Sequence, residues 1–202
     1  VDDTGPAMPV TLDELLGLYE QSFIGDWYDN QGQRETFRQR GRAALTAFYE
    51  KHADHWPDVF GVEQAFNWKL DQYTIGGKID RVDRVGHDAS TGRPIVRIVD
   101  YKSGKTRKKI ETEDKYQLYI YALAAQDPNI LNLKVDGLQY YFMEDNADVE
   151  LPVADKDLAK TEAWIRSSIE RIRSGNFAAT PGPEICRYCD YKDICEFRDP
   201  NA

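Results

Sequence analysis

Two carboxylates and one amine, carried on two strand-like runs, hold the chemistry open to this sequence. Asp80 lies within Gly77-Lys78-Ile79-Asp80-Arg81-Val82-Asp83, and Asp100 and Lys102 close Ile95-Val96-Arg97-Ile98-Val99-Asp100-Tyr101-Lys102. Side chains alternate faces along a strand, so Asp100 and Lys102 project to the same side, about 6.5 Å apart along the axis, while Tyr101 points the other way. Gly86 to Gly92 between the two runs is polar and bounded by glycines, which reads as a loop joining antiparallel strands and sets Asp80 beside Asp100. Two carboxylates on adjacent strands make a hard oxygen pocket suited to magnesium or manganese rather than zinc. A water on such an ion loses its proton more readily, and the ion polarises a phosphoryl oxygen, which is what phosphodiester hydrolysis requires. Lys102 would orient that water or neutralise the charge that develops on phosphorus. A structural ion pair at a sheet edge is the bland reading of the same three residues.

The surroundings argue against the bland reading. Glu63 lies on a preceding strand-like run, and Gln117 and Tyr121 lie four apart on a helix after the lysine, where an i, i+4 pair reaches one point in space. The order Glu, G-x-x-D-R-x-D, V-D-Y-K-S-G, Q-x-x-x-Y resembles the RecB-type nucleases of the PD-(D/E)xK superfamily, a group that includes nuclease domains fused to UvrD-like helicases. The resemblance covers about Gly41 to Phe197. It implies that Glu63, Asp80 and Asp100 bind the metal, with the backbone carbonyl of Tyr101 as a further ligand. Lys102 takes the place of the family lysine, and Gln117 and Tyr121 that of the helical motif lining the active site. Many members also carry a metal-binding histidine on an early helix. The matching stretch here, residues 40–48, has none, and His52, further along, reads as a solvated surface residue.

The elements that must position these residues can be read from periodicity. Thr11 to Glu14 fits a capping box, opening a helix to about Phe23, and a second helix runs from about Gln31 to His55. Strands are expected at Val59–Leu70, Tyr73–Val85 and Pro94–Lys102. A helix capped by Thr112 follows, with an apolar face of Tyr116, Tyr119, Ile120 and Leu123. Further strands are expected at Val135–Met143 and Asp148–Val153, then a helix from Asp155 to Ser174 stopped by Gly175. The resulting α/β (α+β) class is a restriction-endonuclease-like core, a central mixed sheet flanked by helices, with a cysteine-rich C-terminal tail. The expected divisions are a helical region over 1–56, the nuclease core over 57–180 and the tail over 181–202.

Composition sets the bounds. With 41% hydrophobic and 30% charged residues, the chain is an ordinary globular domain rather than a disordered one. No apolar run is long enough to cross a bilayer and no leader-like segment opens the chain, so the expected location is the cytosol. Opening on Val1 and a loop-like stretch suggests a piece of a longer polypeptide. A net charge of -9 excludes a protein that coats DNA by bulk electrostatics, yet Lys102, Lys105, Arg107, Lys108 and Lys109 fall within eight residues, and the last four could guide a phosphate backbone past the site. There is no phosphate-binding loop of the G-x-x-x-x-G-K-[ST] type, so a helicase motor must belong elsewhere.

All three cysteines, Cys186, Cys189 and Cys195, lie in the last seventeen residues. In a reducing cytosol this clustering favours metal over disulfides. The pattern C-x-x-C-x-Y-x-x-I-C resembles the iron-sulfur staple of RecB-type nucleases, implying a 4Fe-4S cluster whose fourth cysteine lies outside this chain, or a zinc ion completed by histidine. Free thiols are the alternative. The function expected from all this is a Mg2+- or Mn2+-dependent deoxyribonuclease, the nuclease part of a helicase-nuclease in DNA end processing and repair. A non-catalytic DNA-binding module on the same fold and a purely structural domain are its rivals.

Overall fold

The computed structural model of the protein describes residues 10–107, 110–175 and 177–201, with the Glu113 side chain left aside. Two helices come first, α1 (Leu12–Ser22) and α2 (Gln31–His52), with one 3-10 turn between them. Thr11 and Glu14 form the expected capping box: the Thr11 side chain accepts from the Glu14 amide and Glu14 accepts from the Thr11 amide at 2.8 Å. Glu20 ties the helices together through Arg38 and Arg42, and Tyr19 donates to the Arg38 carbonyl.

Three strands follow, β1 (Val59–Leu70), β2 (Tyr73–His87) and β3 (Pro94–Lys102), then α3 (Thr112–Gln126), β4 (Lys134–Phe142), β5 (Ala147–Leu151), α4 (Asp155–Arg173) and a short α5 (Pro183–Arg187). The five strands form one sheet in chain order. All neighbours are antiparallel except β3 and β4, which run parallel because α3 provides the crossover. The expected mixed sheet flanked by helices is the fold observed. Gly175 ends α4 in the left-handed region, φ 68°, which a glycine reaches without a Cβ clash.

The two sheet faces divide the work. Asp100 pairs in register with Tyr140 and Tyr101 with Tyr141, so each row belongs to one face. On the first face, α3 covers Tyr140, whose hydroxyl donates to the Asp114 carbonyl. On the second, Phe48 of α2 packs edge-on to Tyr141 at 5.5 Å. Ile79, Val82, Val96, Ile98, Leu118 and Leu138 are essentially inaccessible. Each such side chain stabilises the fold by roughly 1.5–3 kcal/mol relative to exposure, and that apolar layer forms the floor of the site.

Two local expectations are corrected. Glu111, not Thr112, is the N-cap of α3, and it makes no side-chain cap bond. Of the expected apolar face only Tyr119 is buried, together with Leu118, Tyr121, Ala122, Ala124 and Ala125, while Tyr116, Ile120 and Leu123 are half-buried. Small alanines let α3 approach the sheet closely, and their weak hydrophobicity hides the face in the sequence.

The chain divides into two compact units, Val1–Thr161 and Glu162–Ala202. The first contains the whole sheet. In the second, Cys186 is buried and its sulfur accepts from the Asp199 amide at 3.4 Å, while Cys189 and Cys195 are partly exposed. No described helix is long and apolar enough to cross a membrane.

Candidate active site

Strand pairing fixes where the three acids stand. Val62 faces Arg81 and Gln64 faces Ile79 across β1 and β2, which places Glu63 opposite Asp80. Arg81 faces Val99 across β2 and β3, and one step further Asp80 comes opposite Asp100. The ladder between β2 and β3 stops at that Arg81–Val99 pair. Beyond it the Asp80 side chain takes the place of a backbone acceptor: the Tyr101 amide donates to Asp80 Oδ2 at 3.0 Å.

Asp100 is 2% exposed, a carboxylate set into the apolar floor. Burial pushes its pKa up, against the pull of Lys102 and with a further push from Asp80. Lys102 Nζ lies 2.6 Å from Asp100 Oδ2, but the angles do not make a hydrogen bond, and Oδ2 has no hydrogen-bond partner. The ammonium donates instead to Gln117 Oε1 at 2.9 Å and sits 4.9 Å from the centre of the Tyr140 ring. Gln117 Nε2 donates in turn to the Tyr121 hydroxyl at 2.8 Å. Tyr121 packs edge-on to Phe66, and its phenol pKa is raised, first by burial and then by Asp100, Asp80 and Glu63 despite the Gln117 bond. The i, i+4 spacing on α3 thus builds a relay from Tyr121 through Gln117 to Lys102.

Glu63 behaves differently. Its backbone is left-handed, φ 51°, which is uncommon outside glycine, and its carboxylate is exposed and paired with Lys78 at 2.8 Å. The structure brings Asp80, Asp100, Lys102, Gln117 and Tyr121 together and leaves Glu63 at the rim. Among the described residues no three His, Cys, Asp or Glu side chains group closely enough to hold a metal ion, in the site or in the cysteine tail. The donors that do converge still fit a hard cation: Asp100 is a buried carboxylate with only the Lys102 ammonium at its Oδ2, Asp80 flanks it, and magnesium needs only one or two carboxylates because it keeps its waters.

A cleft of about 160 Å³ opens beside Lys102, with Tyr140 and Phe142 among its walls and Lys105 and Arg107 at its mouth. Both cations are well exposed and already have acidic neighbours, Glu144 at 3.6 Å from Lys105 and Asp114 at 3.0 Å from Arg107. Lys108 and Lys109 lie outside the described residues.

His52 is not the solvated residue expected. It is half-buried within ring contact of Phe48, Trp56 and Tyr141, and its pKa is lowered by burial, then by Arg81 and Lys51. Arg81 and Asp83 stand outside the expected site residues. Opposite charges two apart on a strand share a face, and that spacing was the signal. Both are buried on the α2 side, with Arg81 Nη2 donating to Asp83 Oδ2 at 3.0 Å.

Comparison with known proteins agrees with this fold. The sequence profile of the PD-(D/E)XK nuclease superfamily matches residues 7–196, and the chain belongs to that superfamily. Gene 69 protein of Mycobacterium phage L5 is 30% identical over 191 residues, covering 89% of this chain and 60% of that protein, so the chain spans about three fifths of its relative's length. Among solved structures, that of a candidate exonuclease from Eubacterium rectale superposes with a TM-score of 0.50 over 97% of this chain and 79% of that one. At 11% identity, this likeness concerns the fold alone.

Proposed function

We propose that the chain is a Mg2+- or Mn2+-dependent deoxyribonuclease of the RecB type, acting on DNA ends in repair beside a helicase motor. The observation that carries the catalytic part is the Asp80–Asp100–Lys102 constellation, with the buried Asp100 carboxylate in ionic contact with Lys102 at its centre. Asp80, Asp100 and the Tyr101 carbonyl would hold the ion, with Glu63 joining only by leaving Lys78. When bound, such an ion supplies an acidified water and polarises a phosphoryl oxygen. Lys102, aimed by Gln117, presents positive charge to the oxygens of the phosphorane and stabilises charge that exists only in the transition state. Tyr121 holds the Gln117 amide so that its oxygen, not its nitrogen, faces the ammonium. The RecB assignment and the motor rest on motif order.

The test incubates the protein with labelled single-stranded and duplex DNA in Mg2+, Mn2+ or chelator, beside Asp100→Ala and Lys102→Ala. Cation-dependent cleavage lost in both variants supports the proposal. Cleavage unaffected by both refutes the assigned chemistry, and DNA binding without cleavage in any cation would favour the non-catalytic module.

A further inference from the structure

We propose that Arg81, on the face of the sheet away from the carboxylates, is a positioning residue for them: it fixes the phenol of Tyr101, and the Tyr101 peptide in turn fixes Asp80. This rests on the nuclease reading of the site and extends it to the opposite side of the sheet.

Arg81 and Asp83 are 6% and 7% exposed. Besides the Nη2–Oδ2 hydrogen bond, Nε and Oδ1 are 2.9 Å apart without hydrogen-bond geometry. A buried ion pair is a poor means of stabilisation, since its desolvation offsets most of its attraction and well-packed apolar residues serve the fold as well. What this pair does that apolar residues cannot is direct a donor. Arg81 Nη1 donates to the Tyr101 hydroxyl, and the guanidinium carbon sits 5.3 Å from the centre of that ring. The Tyr101 ring also meets Tyr141 edge-on at 5.8 Å, so the phenol is held from two sides. Only a planar fork can address Asp83 and Tyr101 together, a task beyond a lysine ammonium.

Tyr101 is the residue between Asp100 and Lys102. Any twist of its peptide turns both neighbours, and its N–H is the donor that holds Asp80 Oδ2 where the β2–β3 ladder has ended. Arg81 adjoins Asp80 along β2 and reaches its carboxylate again through Tyr101 on β3, closing a ring that straddles the sheet. Small displacements of reacting groups are costly, roughly a hundredfold per ångström in rate, so a lock on this ring is a lock on the chemistry.

The experiment compares wild type with Tyr101→Phe, which removes one oxygen, and with Arg81→Met combined with Asp83→Leu, which replaces the buried pair by apolar groups. Mn2+ is titrated while thermal stability and, separately, cleavage are followed; DNA binding is measured in chelator. The expected result is that both variants melt near wild type and bind DNA as it does. Their half-saturating Mn2+ rises at least about fivefold in both readouts, the size of one lost hydrogen bond. A folded Tyr101→Phe with wild-type half-saturation overturns the positioning role even if the double variant does not fold. A wild type that neither responds to Mn2+ nor cleaves overturns the nuclease reading instead.

Discussion

Lys102 and Asp100 are in ionic contact at 2.6 Å, yet one is a third exposed and the other almost wholly buried. The asymmetry separates what each group can do. A carboxylate removed from water is an energetic burden to the free protein, whereas an ammonium at the mouth of a cleft remains available to an incoming phosphate.

Asp100→Asn therefore separates folding from activity. Removing the buried charge relieves a desolvation cost, while the amide keeps the size of the carboxyl. The expected outcome, by calorimetry without added metal, is a melting temperature equal to or above wild type. Cleavage is expected to fall roughly a hundred- to a thousandfold, the order of losing one strong transition-state contact.

Lys102→Met has the opposite sign on stability. It leaves Asp100 buried without a counter-ion, which costs about 3–5 kcal/mol for a fully buried pair. The exposure of Lys102 reduces this to about 1–2 kcal/mol. Combining it with Asp100→Asn is expected to recover most of that loss, a coupling that a double-mutant cycle in urea measures. Simple additivity of the two changes would mean that the contact is energetically idle.

His52 gives the fold a pH dependence that can be isolated. Its Nε2 is buried without a hydrogen bond, and burial, Arg81 and Lys51 lower its pKa below 6.5 against the weaker opposing pull of Asp148. A base with a depressed folded pKa contributes stability that is complete above the unfolded pKa and is lost as pH falls through the folded value. Urea midpoints are expected to be level above pH 6.5 and to fall below it, and His52→Phe, which keeps a ring among Phe48, Trp56 and Tyr141, should flatten that part of the curve. An unchanged slope in the variant would assign the dependence to other groups.

His52 also marks where the sequence stops being legible. Strand limits could be read because alternation and turn residues are local signals; β1 and β3 fall where expected, and β2 runs only two residues longer. The convergence of Asp80, Asp100 and Lys102 was readable for the same reason, since period two decides which side chains share a face. The surroundings of His52 depend on Tyr141, far along the chain, and no local pattern announces them. Glu63 shows the same limit in the backbone: nothing in Val62-Glu63-Gln64 signals a left-handed residue, and that conformation goes with a carboxylate turned to Lys78 rather than grouped with the other acids.

Gln117→Ala and Tyr121→Phe test the relay on α3. The first removes the acceptor that aims Lys102 and leaves the ammonium free to swing. The second removes only the oxygen that holds the amide. Each lost hydrogen bond is worth about 1 kcal/mol, so kcat is expected to drop roughly tenfold or less in Tyr121→Phe and further in Gln117→Ala. If both variants instead raise KM with kcat intact, these residues bind substrate and do not position Lys102.

The basic loop should respond to its acidic neighbours. Arg107 is 65% exposed but occupied by Asp114, and such pairs contribute little to folding while competing with phosphate for the same cation. Asp114→Asn is therefore expected to tighten DNA binding and to steepen its salt dependence by about 0.7–0.9 in the log–log slope, the contribution of one added phosphate contact. Arg107→Ala should leave the parent slope nearly unchanged but abolish the gain from Asp114→Asn. Lys105, 3.6 Å from Glu144, is less firmly held, so Lys105→Ala should lower the parent slope directly. Anisotropy titrations across a range of salt separate these cases, and a slope indifferent to all three changes would place the DNA path away from the Lys102 cleft.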